Sequence, residues 1–370
     1  MTRVLFLIHD LGQGGAEKVL VNLVNNMDRT KFDISVTVLF GGGVNEQFLK
    51  SDIHFRVIFS KEVPGNSKLM KLLSPKQLHR LCVSEKYDIE ISYLEGPSAR
   101  VISGCPNQDT KLVTWMHSTM CNLKDVTDAF RSLEETIHCY QQYDKIIAVS
   151  QGIRAAFCNL IGFSEKCDVL YNTVESEQIM SNSREPVFDV DFSEKTIKLL
   201  AVGSLKQVKG FKRLLNIIQR LKNENYDIHL YLLGKGPQRN ELEECVVQND
   251  LKDVVTFLGY QTNPYKYISK CDCFVCSSYS EGFSTSATEA LIVGIPVCTV
   301  EVSGMREMLG NSEYGLITEN SEEGLYQGIK KLLDAPELLV HYRKQAKRRG
   351  NFFSTAKTVE AVEQLLLKLV

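Results

Sequence analysis

Val4-Leu5-Phe6-Leu7-Ile8-His9-Asp10-Leu11-Gly12-Gln13-Gly14-Gly15-Ala16-Glu17-Lys18-Val19-Leu20 opens the chain. The apolar run 4–8 reads as a strand covered on both faces, as strands of parallel sheets are. Gly12-Gln13-Gly14-Gly15 reads as a turn, and residues 16–24 place their apolar side chains at helical spacing. The same unit recurs. Further strands are expected at 34–40, 55–59, 89–94, 111–115 and 145–149, with helical stretches between most of them. Alternating β and α elements predict an open parallel α/β sheet with helices on both faces.

The rhythm breaks at Ser181-Asn182-Ser183-Arg184-Glu185-Pro186, and 187–194 shows no helical period, so 181–196 reads as a linker. It then restarts, with strands expected at 198–202, 228–233, 254–257, 273–276 and 296–299. Residues 354–369 read as a closing helix from the spacing of Val359, Val362, Leu365, Leu366 and Leu369. Two α/β halves of similar size are expected, with ligands bound in a cleft outside the carboxyl ends of the strands. A length of 370 residues agrees with two domains.

Composition narrows the class. Hydrophobic residues make up 44% and charged residues 24%, a globular balance that excludes a disordered or fibrous chain. A net charge of −2 gives no overall reason to expect a nucleic-acid partner. No apolar run approaches a membrane span, and the opening turns polar at His9-Asp10, too early for a signal peptide. The expectation is a soluble, cytoplasmic protein. The eleven cysteines are scattered rather than set in a disulfide framework. Cys271, Cys273 and Cys276 lie in an expected strand that points Cys273 and Cys276 to opposite faces, so they read as core rather than metal ligands.

Several loops carry polar groups suited to chemistry. Gly12-Gln13-Gly14-Gly15 lacks the spacing of a nicotinamide-binding turn, because position 17 is Glu17 and the second strand ends in Phe40-Gly41. Its glycines still let backbone approach a phosphate at a helix start. In the second half, Gly203-Ser204-Leu205-Lys206-Gln207-Val208-Lys209-Gly210 sets two lysines on a turn at a strand end, where they can neutralise a diphosphate. Ser277-Ser278-Tyr279-Ser280-Glu281-Gly282-Phe283-Ser284-Thr285 follows the strand 273–276 and opens a helix. Glu281 is therefore a loop acid. Unpaired N–H groups at the helix start favour an anion. Glu289, one turn into that helix, can accept hydrogen bonds from a ribose diol.

These motifs resemble the retaining nucleotide-sugar glycosyltransferases of family four, of the bacterial polysaccharide-biosynthesis type, which have the GT-B fold of two Rossmann-like domains facing across a cleft. The hallmark is Glu281 and Glu289 inside Glu281-Gly282-Phe283-Ser284…Glu289-Ala290…Gly294-Ile295-Pro296. Gly14-Gly15-Ala16-Glu17, Val149-Ser150 with Arg154, Val169-Leu170-Tyr171-Asn172, Val202-Gly203…Lys209-Gly210, Leu233-Gly234-Lys235-Gly236-Pro237 and Phe257-Leu258-Gly259-Tyr260 follow the family's order. The resemblance implies an acceptor domain at 1–180, a donor domain at 197–351, and a helix at 352–370 returning to the first domain.

It also implies roles. Glu281 and His117 are the catalytic pair, Glu281 holding a donor-sugar hydroxyl and His117 reaching the sugar from the first domain. Gly14, Gly15, Ser204, Lys206, Lys209, Gly282, Phe283, Ser284 and Thr285 take the diphosphate and sugar. Glu289 takes the ribose, and Gly259 with Tyr260 the base. The family often has arginine where this chain has Ser204; Lys206 stands nearby, without arginine's bidentate fork. The implied reaction moves a hexose from a UDP-linked donor to a glycan or polyprenyl-linked saccharide with retention. No cofactor and no metal are expected, since Lys209 and the helix start can carry the diphosphate charge. A nucleotide-sugar epimerase or hydrolase on this fold, or a non-catalytic sugar-binding relative, are the alternatives.

Two other features are weighed. Asp189-Val190-Asp191 falls in the expected linker and reads as solvated acids rather than a metal motif. Residues 67–81 mix leucines with lysine, histidine and arginine, which suits an amphipathic helix lying on an anionic membrane surface.

Overall fold

The computed structural model describes residues 1–61, 70–118, 120–192 and 196–370. The chain forms two compact units, one of Met1–Val174 with Thr355–Val370, the other of Glu175–Ser354.

In the first unit, β1 (Thr2–Ile8), β2 (Phe32–Phe40), β3 (His54–Phe59), β4 (Ile89–Ser92), β5 (Lys111–Met116), β6 (Lys145–Ala148) and β7 (Cys167–Val169) form one parallel sheet, ordered β3-β2-β1-β4-β5-β6-β7. Val4 pairs with Ile34 on one side and Ile89 on the other. Val4 to Ile8 are all buried, as a central parallel strand requires.

The second unit repeats the plan. Strands β8 (Ile197–Val202), β9 (Ile228–Leu233), β10 (Val255–Gly259), β11 (Cys273–Cys276), β12 (Val297–Val300) and β13 (Leu316–Thr318) are parallel, in the order β10-β9-β8-β11-β12-β13. The order in which strands are added reverses beside the first strand of each sheet, at β1/β4 and at β8/β11. The loops after those strands flank the place where open α/β sheets bind ligands. Cys273 and Cys276 of β11 are buried, and Cys271 just before it is buried too.

The domain boundaries differ from the sequence expectation. The first unit ends at Val174, and 181–196 is not a linker, because side chains strap its described residues to the second unit. Asn263 Nδ2 donates to Asn182 O at 3.0 Å and to Glu185 Oε2 at 2.9 Å. Tyr267 Oη donates to Asp189 Oδ2 at 2.7 Å, so Asp189 is anchored rather than merely solvated. The ring of Phe192 lies 4.8 Å from that of Tyr231.

The closing helix Thr355–Leu367 belongs to the first unit. It buries Val359, Val362 and Leu366, and Glu363 Oε1 accepts from the backbone N–H of Asp28 at 2.6 Å.

The expected basic helix at 67–81 is also corrected. Residues 67–69 lie outside the described residues, and the helix runs Pro75–Cys82 behind a Ser74/Gln77 capping box. It turns Leu78, His79 and Cys82 inward, leaving Lys76, Arg80 and Leu81 exposed. His79 is drawn in by Glu90 on β4, whose Oε2 lies 2.7 Å from its Nε2.

Candidate active site

The turn after β8 and the loop after β11 are built onto one another. Gly210 closes the turn at φ +64, and a Cβ there would stand 2.0 Å from Ser277 O, so only glycine lets the two backbones meet. Ser277 Oγ donates to Lys209 O at 2.9 Å, and Tyr279 N donates to Val208 O at 2.8 Å. The helix Phe211–Asn223 starts directly behind Gly210.

This junction brings Lys209 to Glu281. Lys209 Nζ donates to Glu281 Oε1 at 2.6 Å, and Ser278 Oγ donates to the same oxygen at 2.6 Å. The lysine stem passes over Gly203, whose added Cβ would sit 3.6 Å from Lys209 Cδ. Side-chain exposures of 25% for Lys209 and 11% for Glu281 leave the pair shielded but reachable. A pair of opposite charge at a strand switch point can release its cation to an arriving diphosphate and its anion to a hydroxyl. Ser204 and Lys206 lie on the same turn and are exposed.

Beyond Glu281, Ser284 caps the helix Thr285–Val293 by accepting from Ala287 N at 3.3 Å. Thr285 stands at the first helical position, where backbone N–H groups lack intrahelical partners. The ring of Phe283 is buried 5.8 Å from that of Phe353, which leaves its backbone and that of Gly282 to serve a ligand. Glu289 is buried on the helix, and its Oε1 accepts from Tyr265 Oη at 3.1 Å. Gly259 ends β10 at φ +67, and the exposed Tyr260 ring has Lys235 Nζ 5.0 Å from its centre.

Sequence reasoning missed two residues that position this site. Arg213, only 3% exposed, donates from Nε to Ser277 O at 2.8 Å, from Nη2 to Ser278 O at 2.9 Å and from Nη1 to Asn320 Oδ1 at 2.9 Å. Burial lowers its pKa from the usual arginine value. Its planar fork fixes the loop that carries Glu281. Tyr265 does the same for Glu289. Arg213 in the first turn after Gly210 was the only sequence signal, and it is slight.

The first unit carries the other candidates. Gly14 and Gly15 stand exposed at the start of the helix Gly15–Asn26, with no side-chain cap. A Cβ on Gly14 would meet Glu17 Oε2 at 2.0 Å, so the helix start already has a carboxylate against it. Burial raises the Glu17 pKa, with nearby Asp10 adding to the rise. His117 follows β5, and its backbone N–H donates to Glu95 Oε2 at 2.9 Å. Its ring lies 4.9 Å from Tyr93. Burial pushes its pKa down to about 3, so the imidazole is neutral and can offer a ligand a hydrogen bond but no charge. Nε2 is shut off from solvent without a hydrogen-bond partner, so a ligand meets the other edge of the ring or requires it to turn.

Among the described residues one cluster has metal-binding side chains, namely His79, Glu90 and Cys105 in the first unit. Cys105 Sγ donates to Glu90 Oε1 at 3.6 Å, so the carboxylate is satisfied on both oxygens by protein groups. Asp189 and Asp191 are not part of any such cluster among the described residues.

Family models match both halves of the chain. Residues 13–178 match the model described as Glycosyltransferase Family 4, and residues 183–349 match Glycosyl transferases group 1. The N-acetylgalactosamine-N,N'-diacetylbacillosaminyl-diphospho-undecaprenol 4-alpha-N-acetylgalactosaminyltransferase of Campylobacter jejuni is 29% identical, covering 99% of this chain and 100% of that protein. The lipopolysaccharide core biosynthesis glycosyltransferase LpsD of Rhizobium meliloti is 24% identical over 55% of this chain and 57% of its own. Among solved structures, Anabaena HepE in complex with UDP superposes with a TM-score of 0.76 at 17% identity, covering 99% of this chain and 100% of that one. Sucrose-phosphate synthase of Thermosynechococcus elongatus gives 0.79 at 17% identity, with 99% of each chain covered. With two Rossmann-like sheets and family models matched in both halves, this chain belongs to glycosyltransferase family four and has the GT-B fold.

Proposed function

We propose that the protein transfers a hexose from a UDP-linked sugar to a saccharide carried on a polyprenyl diphosphate, with retention at the anomeric carbon. The observation that carries the reading is the Lys209–Glu281 pair at 2.6 Å, held at the ends of β8 and β11. The diphosphate competes with Glu281 for the ammonium, and Glu281 turns to a hydroxyl of the bound sugar. As the sugar–oxygen bond breaks, negative charge grows on the diphosphate, where Lys209 and the N–H groups at the Ser284 helix start stabilise it. The acceptor hydroxyl enters on the face the diphosphate leaves, its oxygen bonding to the anomeric carbon as the sugar–diphosphate bond breaks and its proton passing to the departing diphosphate oxygen. Glu281 thus orients the sugar without forming a covalent bond to it. Glu289, steadied by Tyr265, takes the ribose, and Tyr260 with Gly259 borders the base.

The relatives support the class of donor and acceptor. HepE was solved with UDP, and the Campylobacter enzyme's name specifies a diphospho-undecaprenol acceptor. Such an acceptor lies in a membrane. We place membrane contact on the first unit, where Leu72 is 75% and Leu81 50% exposed beside Lys71, Lys76 and Arg80. No helix among the described residues is long and apolar enough to cross a membrane. The proposed transfer needs no divalent metal, because protein cations carry the leaving charge.

The test is a panel of UDP- and GDP-sugars with a polyprenyl-diphosphate saccharide, run with and without excess chelator. Transfer from a UDP-sugar that persists in chelator and yields the donor's anomeric configuration is expected. Transfer from GDP-sugars alone, inversion, or activity restored only by magnesium or manganese would each overturn its part of the reading.

A further inference from the structure

A pocket lies against the same turn and loop, on the side away from the Ser284 helix start. It measures about 590 Å³ and is lined by Gln207, Val208, Lys212, Gln238, Glu241 and Tyr279, with Gly210. Right-handed crossovers put the helices Phe211–Asn223 and Arg239–Gln248 on one face of the second sheet and the helix Thr285–Val293 on the other. The pocket opens between the starts of the first two helices. None of its lining residues is assigned to the nucleotide-sugar.

Its central feature is an aromatic ring that is exposed yet fixed. Tyr279 is 50% exposed. Its N–H donates to Val208 O, and its C=O accepts from Asn320 Nδ2 at 3.1 Å. The buried Arg213 guanidinium covers one side of the ring at 4.1 Å from its centre. A side chain held this firmly loses little entropy when a ligand stacks on it.

The polar lining narrows the ligand. Glu241 accepts from Lys212 Nζ and from Gln238 Nε2, both at 3.0 Å, so its charge is balanced within the pocket. A balanced pair offers no net attraction to a phosphate or an ammonium. Gln207 and Gln238 each offer a donor and an acceptor. A ring face for C–H groups, amides for hydroxyls and no net charge together suit a neutral sugar. The C–H hydrogens on one side of a pyranose carry partial positive charge and meet the negative face of the ring. A volume of this size lies within the usual range for a small-ligand site.

We propose that this pocket is a saccharide-binding subsite in which a sugar ring stacks on Tyr279 and hydrogen-bonds to Gln207, Gln238 and Glu241. The inference rests on the reading that the protein works on saccharides, and it assigns the subsite to a glycan segment distinct from the donor sugar. Val208 and Tyr279, which border the pocket, adjoin Lys209 and lie two residues before Glu281. A glycan held here therefore grips the turn that carries Lys209 and the loop that carries Glu281.

The experiment is ligand-observed saturation-transfer NMR with chitotriose and maltotriose at millimolar concentration, with the donor site saturated by UDP. Transfer from the wild-type protein to at least one trisaccharide is expected. In Tyr279→Ala and in Gln238→Ala the affinity should fall at least tenfold, while Tyr279→Phe keeps the stacking face and most of the binding. UDP affinity within twofold of wild type in each variant shows that the loop is intact. No transfer from wild type to either sugar would overturn the proposal. So would transfer that UDP abolishes, since the sugar or base would then share the donor site, or transfer that survives both alanine variants. Because binding is read without turnover, failure to find a donor or acceptor in the panel leaves this result standing.

Discussion

Lys209 and Glu281, 72 residues apart in sequence, meet at 2.6 Å, and the glutamate oxygen that takes the ammonium also takes the Ser278 hydroxyl. The contact joins the first strand of the second sheet to the strand beyond its reversal point. In the proposed reaction it holds the cation meant for a leaving diphosphate and the anion meant for a sugar hydroxyl in mutual restraint before any donor arrives.

That restraint separates the effects of two substitutions. Lys209→Ala removes a contact that strengthens as the diphosphate departs, so kcat should fall on the order of 10²–10³-fold. Glu281→Gln removes the charge that competes for Lys209, so UDP should bind as tightly as to wild type or more tightly. Transfer should nevertheless collapse, because the amide cannot replace the carboxylate on the sugar. Calorimetric UDP binding beside single-turnover transfer reads both. Near-native transfer by Glu281→Gln, or weakened UDP binding in that variant, would show that the pair does not work this way.

Arg213 is the support under this arrangement. Arg213→Ala leaves the carbonyls of Ser277 and Ser278 buried without their donor, at a cost of about 1–3 kcal/mol for each such group. A clear fall in Tm and a larger fall in kcat than in UDP affinity are expected. Arg213→Lys should not restore either, since an ammonium cannot span two carbonyls and Asn320 as the guanidinium does. Rescue by lysine would mean that only the charge matters.

The sheets were legible because parallel strands are buried on both faces and write continuous apolar runs, as 4–8 and 273–276 do. Strands β7 and β13 were not, since Cys167-Asp168-Val169 and Leu316-Ile317-Thr318 are too short to write a recognisable run. Residues 181–196 read as a linker because their anchors, Asn263, Tyr267 and Tyr231, lie far along the chain. Lys209, Glu281 and Glu289 stand out as candidates from their place after a strand or at a helix start and from the family resemblance. Their partners were hidden: Arg213 acts across 64 and 65 residues, and Tyr265 across 24. The inward turn of Phe283 and of His79 depends on packing that local spacing does not encode.

Tyr265→Phe tests the proposed ribose site. Without the hydroxyl, Glu289 loses a hydrogen-bond donor that fixes its carboxylate, an interaction of about 1.5 kcal/mol or more. The donor KM should rise about tenfold with kcat little changed. With a 2′,3′-dideoxy donor the difference from wild type should vanish, because no diol remains to be held. A difference that persists would assign Tyr265 a purely structural role.

The proposed membrane face can be tested without a known acceptor. Leu72→Asp with Lys76→Glu should reduce sedimentation with phosphatidylglycerol vesicles at least fivefold, and neutral phosphatidylcholine vesicles should bind wild type poorly. Screening by salt should weaken the wild-type interaction. Equal binding to both vesicle types, or none to either, would remove the membrane from the reading.

Two buried histidines should pull the stability profile in opposite directions. Burial of His79 works against its charge, but its hydrogen bonds with Cys105 and Glu90 outweigh that, and its pKa stands raised at about 9. From about pH 6.5 upwards the unfolded chain loses a proton that the folded chain keeps. The His79 contribution is therefore complete below pH ~6.5 and is lost as the pH rises through about 9. His117 is the reverse case. With a folded pKa near 3, it stays neutral where the unfolded chain is charged, so its contribution is complete above pH ~6.5 and is lost as the pH falls towards about 3. Each group tilts stability by up to about 1.4 kcal/mol per pH unit inside its window. Tm measured from about pH 4.5 to about pH 9.5 should form a dome. His79→Gln should flatten its alkaline side, and His117→Gln its acid side. If His79→Gln left the alkaline slope intact, the Glu90–His79 pair would not be the charged pair that its 2.7 Å separation indicates.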